Sequence, residues 1–386
     1  MTPGQRRQRL DTLLPEFHEL WHAQPFRELR PAWCARWPAL MEELLALDDL
    51  ATAYLNDDAG AALALLTRHL PALGELAVLG ELPRRPAADP AASGERWAWE
   101  IPGRKRSQIE AFAAAAQSAG VPVIDWCGGK GHLGRLLALH WNVPVTTLEI
   151  DPVLCAEGEA LARRLSLAQD FVVADALASV PPAASHAVAL HACGELHRRL
   201  IVHGAKAGLA RFDVAPCCYH RGVGDFYQPL SAGLQTRLTR DDTRLAVTET
   251  VTASPRLARQ RDKEMAWKLG FAEWQRLNHG AYRSFKPVPA AWFRGSFADF
   301  LSAMAARSAL PAPSAIQAGQ CELAAWQRQR EVMRLSIVRH AFRRLLEVWL
   351  ALDLVAYLEE QGYAVEVGAF CGRHLTPRNL LISAWR

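Results

Sequence analysis

The chain has 386 residues, half of them hydrophobic, which supports one large domain or two ordinary ones with a sizeable core and excludes a disordered or fibrous polymer. Its net charge of +4 is mild and its bases are nearly all arginine, with lysine at six positions; a GC-rich coding background explains that bias as well as a nucleic-acid partner does. Eight cysteines without a short-spaced framework argue for reduced thiols and against a disulfide scaffold. Residues 1–8 are polar and basic, with no apolar run and cleavage site behind them. The most apolar stretch, 346–358, is too short to span a bilayer and holds Asp353. A soluble, cytoplasmic protein with no membrane partner is expected.

Residues 1–90 show helical periodicity, as at Leu44, Leu47, Leu50 and Tyr54, with stops at Pro71, Gly74 and Gly80, and read as an all-helical N-terminal region. Residues 83–94, rich in Pro, Ala and Gly, read as a linker. A helix over 107–119, entered through Arg104, Lys105 and Arg106, then feeds an apolar strand beginning at Val123. That strand runs into Asp125-Trp126-Cys127-Gly128-Gly129-Lys130-Gly131, a glycine turn and a helix start, and a second strand from Val145 ends on Glu149. This is the layout of a nucleotide-type cofactor pocket.

Gly129, Gly131 and Gly134 satisfy G-x-G-x-x-G, and Glu149 stands where an acid bonds ribose hydroxyls, so a nicotinamide or flavin enzyme must be weighed. Asp125 decides against it. A pyrophosphate brought over this turn would be repelled by an acid at the strand end, whereas the ammonium and sulfonium of S-adenosylmethionine are favoured by one. A phosphate-binding P-loop is excluded, because Lys130 is followed by Gly131 and His132 and lacks the magnesium-binding hydroxyl.

The run from Asp125 to Gly131 resembles the first motif of class I S-adenosylmethionine-dependent methyltransferases. The resemblance implies that Gly129 and Gly131 let backbone approach the methionine moiety and that Glu149 accepts from both ribose hydroxyls. It also sets Cys127, His132, Leu133, Ile150, Ala176 and His191 along the pocket. Cys127 stands where the family usually has its first glycine, so the turn is expected to use a conformation open to a side chain there.

Further along, Asp151 followed by Pro152 is a helix start, and that helix is expected to end near Leu167. A third strand over 171–174 delivers Asp175, which the resemblance makes the partner of the adenine amino group. Strands over 186–190 and 212–215 flank a helix over 196–207. Residues 221–320 read as an insertion, a helix over 321–360 ends at Gly362, and strand-like runs over 363–370 and 380–385 close the chain. The expected fold is α/β, a Rossmann-like seven-stranded methyltransferase sheet with its last pair antiparallel. On this reading the catalytic domain covers 100–386, around the insertion.

A second constellation follows strands four and five: His191-Ala192-Cys193-Gly194 and Cys217-Cys218-Tyr219-His220. Both lie where open sheets place ligands. Cys217 or Cys218 could serve as a nucleophile, assisted by His220 or Arg221, although enzymes that use a Pro-Cys dipeptide carry it after strand four. Cys193, Cys217, Cys218, His220 and His191 are all suitable metal ligands, but vicinal cysteines chelate one ion poorly and no C-x-x-C spacing exists; no metal is expected. The preferred reading is a pocket wall, with small thiols near the methyl group, Tyr219 or His220 positioning the acceptor, and His191 or His220 taking its proton.

Lys130-Gly131-His132-Leu133, the two clusters and Thr376-Pro377-Arg378-Asn379-Leu380 together resemble the methyltransferase-like protein 25 group, which includes the protein named for a ribosomal RNA adenine dimethylase domain. An RNA acceptor, ribosomal or transfer, is the leading expectation, with Arg104, Lys105, Arg106 and the insertion's cations as candidates for phosphate contacts and Trp267, Trp274, Trp292 and Phe293 for stacking; methylation of a protein side chain or a small metabolite, and a non-catalytic module that binds the cofactor, are the alternatives. No Asn/Asp-Pro-Pro-aromatic sequence follows strand four, so an N6-adenine target is not supported.

Overall fold

The computed structural model describes residues 1–88, 96–248 and 254–386. Helices α1 (Pro3–Glu16), α2 (His18–His22), α3 (Trp33–Arg36), α4 (Pro38–Ala46), α5 (Asp49–Asp57), α6 (Ala59–His69) and α7 (Gly74–Gly80) fill the N-terminal region. Their ends follow local chemistry: Thr2 and Gln5 form a reciprocal capping box on α1, and Asp48 and Asp58 accept from the N–H groups of Ala51 and Ala61 at the starts of α5 and α6.

Next come α8 (Gly103–Ala115), β1 (Val123–Trp126), α9 (His132–Trp141), β2 (Val145–Glu149), α10 (Pro152–Arg164) and β3 (Gln169–Val173). They are followed by β4 (His186–Cys193), α11 (Glu195–Ala207), β5 (Arg211–Cys217) and α12 (Arg240–Leu245). The chain continues through α13 (Pro255–His279), α14 (Phe297–Arg307), α15 (Ala315–His340), α16 (Arg343–Glu360), β6 (Ala364–Ala369) and β7 (Leu380–Trp385). The seven strands form one Rossmann-like sheet in the order β3-β2-β1-β4-β5-β7-β6. The first five are parallel, and β7 runs antiparallel between β5 and β6. The middle of such a sheet is covered on both faces, which is why β1 and β5 are continuously buried while the edge strand β3 exposes Val172 and Val173.

The residues pack as two units. One comprises Met1–Phe17, Glu75–Thr252 and Arg343–Arg386 and contains the sheet; its core joins Ile109 and Phe112 of α8, Leu133, Leu136 and Leu137 of α9, and Phe370. The other comprises His18–Gly74 and Ala253–Phe342, with a core built on Trp267, Phe271, Trp274, Phe297, Phe300 and Met304.

Several boundaries differ from expectation. The single helix expected over 321–360 is two, α15 and α16, separated at Ala341 and Phe342. The helix expected over 107–119 starts at Gly103, so Arg104 to Arg106 form its first turn. Residues 83–85 are paired, with Arg85 N–H donating to Ala369 C=O at 2.9 Å and Ala369 N–H to Pro83 C=O at 2.8 Å, so the expected linker begins as a tether on β6; its residues 89–94 lie outside the described ones. No described helix is long and apolar enough to cross a membrane, and all eight cysteines are free thiols.

Candidate functional site

The carboxyl ends of β1, β2, β4 and β5 converge on one edge of the sheet. After β1 the chain must turn sharply into α9, and it does so with three left-handed residues, Cys127 (φ 57°), Gly129 (φ 60°) and Gly131 (φ 62°). Cys127 therefore keeps the conformation that glycine would adopt without cost, contrary to the expectation of a turn open to a side chain; the position is strained by roughly 1–3 kcal/mol. Gly128, passed over in the sequence, is sterically constrained: a Cβ there would lie 2.6 Å from Asp125 Cγ and 2.7 Å from Thr147 Cγ2.

The two motif glycines divide their work. Nothing lies within 4 Å of a Cβ built on Gly129, which leaves its backbone open to a ligand. A Cβ on Gly131 would instead lie 2.6 Å from Phe171 Cζ, so a glycine here allows the turn to pack on β3. Gln169, another residue the motif did not reveal, holds the turn from below, donating to Gly131 C=O at 2.9 Å and to Thr147 Oγ1 at 3.0 Å.

Asp125 is 2 % exposed and accepts from Gly134 N–H at 3.0 Å, fastening the first turn of α9 to the strand end. Burial pushes its carboxyl up to about 6, against the opposing pull of the Gly134 hydrogen bond and the Lys105 charge. Glu149 is half-buried at the end of β2: one oxygen accepts from Gly129 N–H at 3.0 Å, the other from Ile150 and Asp151 N–H at 2.9 and 3.2 Å. Ile150 beside it is exposed and apolar, while Asp175 is exposed and caps its own turn through Leu177 N–H at 2.9 Å, with Ala176 buried beneath.

His132 and Leu133 turn their side chains into the core. His132 pairs with Arg135, burial lowers its imidazole to about 3, and Leu133 packs in the α8–α9 cluster, so at a pocket both offer backbone alone. Asp151 caps α10 as read, accepting from Val153 N–H at 2.8 Å.

The second constellation is assembled by a bulge. Leu190 pairs with Ala215 and Cys193 with Cys217, so three steps on β4 match two on β5, and His191 carries the turn at φ 66°. Cys193 Sγ lies 3.5 Å from Cys217 Sγ, and with Cys218 Sγ the three sulfurs fall within 4.8 Å of one another. Cys218 is itself left-handed, at φ 45°. Gly194, whose Cβ would lie 2.7 Å from Arg221 Cβ, lets the loops after β4 and β5 close together, with Glu195 N–H donating to Arg221 C=O at 3.0 Å.

His191 and His220 are half-buried at this edge; burial lowers both imidazoles, His191 to about 4. Tyr219 does not share it. Its ring is 1 % exposed and packs edge-on against His197 with centroids 5.5 Å apart, so it supports the site from within and cannot position an acceptor as expected.

These residues fit S-adenosylmethionine better than a dinucleotide. The turn offers open backbone at Gly129, its flanking acids are the wrong charge for a pyrophosphate, and Glu149 lies beside it with two carboxylate oxygens for a diol.

Residues 104–222, under a third of the chain, match the family model described as Methyltransferase domain. The glutathione S-transferase C-terminal domain-containing protein homolog of Drosophila pseudoobscura pseudoobscura is 29% identical over 147 residues, and that of Drosophila melanogaster is 28% identical over 145. Each similarity takes in 36% of this chain and 25% of the relative, so the chain spans about a quarter of the length of the curated relatives it matches. Among solved structures, an O-methyltransferase family protein from Burkholderia thailandensis is similar at 12% identity and TM-score 0.30, over 85% of this chain and 71% of that one. The 23S rRNA methyltransferase ErmE is similar at 16% identity and TM-score 0.25, over 59% and 97%. The chain carries a methyltransferase domain, and the matched residues hold β1 to β5, five of the seven strands, together with the glycine turn.

Proposed function

We propose that this methyltransferase domain uses S-adenosylmethionine to methylate RNA, and that the protein is related to the methyltransferase-like protein 25 group. The observation that carries the methyl-transfer reading is the glycine turn between Asp125 and Glu149 at the ends of adjacent strands β1 and β2. The bound cofactor supplies an electrophilic methyl group. The chain's own residues do the rest: Asp125 holds the turn in shape, Glu149 offers its carboxylate to the ribose, Ile150 gives an apolar wall for the adenine, and Asp175 stands at the adenine's edge.

His191 and His220, at the ends of β4 and β5, are the groups able to take a proton from an acceptor at this edge. The half-buried thiols of Cys193 and Cys218 form the wall beside them. Arg256, Arg259 and Arg261 are exposed on α13, as is Arg104 on α8, and these cations support an RNA acceptor. The aromatic residues do not: Trp267, Trp274 and Phe293 are core residues, with 3–6 % exposure, and Trp292 packs against that core.

The test is a titration of S-adenosylmethionine into wild type and Glu149→Ala, followed by transfer of a radiolabelled methyl group to RNA and to protein from cells lacking the gene product. Glu149→Ala should weaken binding by about 1–3 kcal/mol through lost charged hydrogen bonds. Labelled RNA, with retention that falls steeply as salt rises, supports the RNA reading. Labelled protein or metabolite overturns the acceptor class, and unchanged affinity in Glu149→Ala overturns the pocket.

A further inference from the structure

We propose that Cys193, Cys217 and Cys218 bind a zinc ion as three thiolates at the carboxyl ends of β4 and β5. The three sulfurs already lie within 4.8 Å of one another, with Cys193 and Cys217 at 3.5 Å. Zinc–sulfur bonds of about 2.3 Å in tetrahedral geometry set sulfurs roughly 3.8 Å apart, so the ion needs only small side-chain rotations.

Vicinal cysteines chelate one ion poorly where both lie in a regular strand. Successive side chains in an extended strand point to opposite faces, so Cys217 and Cys218 should diverge. Here Cys218 leaves the strand in a left-handed conformation that an L residue adopts only when its surroundings enforce it, and its sulfur joins that of Cys217. The β4 bulge works to the same end from the other strand. One extra residue at His191 shifts the alternation, so that Cys193 stands opposite Cys217 with its sulfur on the same side. Two independent departures from regular backbone thus converge on one cluster of soft ligands.

Cys217 is buried at the base, 4 % exposed, whereas Cys193 and Cys218 are half-buried. The imidazoles of His191 and His220 stay outside the group of three, which leaves the fourth position to solvent on the open side, as in zinc sites that keep one exchangeable ligand. The ligands are all thiolate sulfur, which selects zinc over magnesium, calcium or manganese.

The experiment uses the full chain, expressed with zinc, purified with reductant and desalted. Metal analysis should find about one zinc per chain, and replacement by cobalt should give the ultraviolet thiolate-to-cobalt charge-transfer band. Cys193→Ser and Cys218→Ser should each weaken cobalt binding by more than the roughly 10–100-fold that loss of an outer-shell partner brings. Cys155→Ser, a buried cysteine on α10, should keep the full stoichiometry. Should the serine variants fail to fold, wild type alone decides: reduced chain that holds no zinc and gives no band overturns the site, as does a Cys193–Cys217 disulfide that persists in reductant. None of these readouts uses a methyl donor, so they stand apart from the proposed activity.

Discussion

Gly128 sits where no side chain fits beside Asp125 and Thr147. Gly128→Ala must displace the Asp125 carboxylate or Thr147, and we expect it to abolish detectable cofactor binding while leaving the helical unit folded, as read by calorimetric titration beside circular dichroism. Asp125 makes a prediction of opposite sign for stability. Its carboxyl titrates at about 6 in the folded chain and near 3.9 unfolded, so folding favours the protonated form. The contribution is fully present below about pH 4 and is lost as pH rises through about 6. Asp125→Asn, which keeps an oxygen for Gly134 N–H, should therefore be more stable than wild type at about pH 7, by up to about 2 kcal/mol, with the difference vanishing near pH 4 in urea denaturation. A wild type that gains on Asp125→Asn as pH rises would refute the buried-carboxylate assignment. Asp125, Gly129 and Glu149 were legible because acid and glycine at a strand end leave a compositional mark. The left-handed backbone of Cys127, His191 and Cys218 was not, since a cysteine or histidine in that conformation is spelled like any other.

At the scale of elements, α16 is fixed from inside. Fourteen of its eighteen residues are buried, and Asp353 among them accepts from Tyr227 Oη at 2.7 Å, from Leu230 and Ser231 N–H at 2.9 and 2.8 Å, and from Ser231 Oγ at 2.7 Å. One carboxylate thus organises the loop that follows β5. Asp353→Ala leaves those donors unpaired in the interior, and a loss of about 3 kcal/mol is expected in chemical denaturation. A change under about 0.5 kcal/mol would show that the loop is held by something else. Asp353 gave a true signal in the sequence, an acid in the most apolar stretch, though its partners lie more than a hundred positions away. The division between α15 and α16 gave none. Neither proline nor glycine marks Ala341 and Phe342, and the periodicity runs on across the break because both flanking helices are buried on several faces.

For the molecule as a whole, ligand binding should read out as stability. A cofactor product held at a hundred times its Kd stabilises the folded state by about 2.7 kcal/mol. S-adenosylhomocysteine should accordingly raise the unfolding temperature of wild type by several degrees, about 2–4 °C per kcal/mol, and should leave Gly128→Ala unmoved. An equal rise in both would detach the effect from the glycine turn. The sheet order itself was foreseeable, because short strands alternating with helices and a closing pair of strand-like runs admit few arrangements. The membership of the second unit was not: it joins residues 18–74 to residues 253–342, and no local pattern carries a pairing that distant.

The position of β7 between β5 and β6 has a consequence for biosynthesis. Leu380 lies 163 positions after Cys217, so a ribosome adding about 5–20 residues per second leaves the outer flank of β5 without its neighbour for on the order of ten to thirty seconds. During that interval a strand whose every residue is buried in the finished fold presents unsatisfied amides and carbonyls to any passing polypeptide. The nascent chain must shield that flank, with its own emerging helices or with a chaperone, until the missing strand arrives.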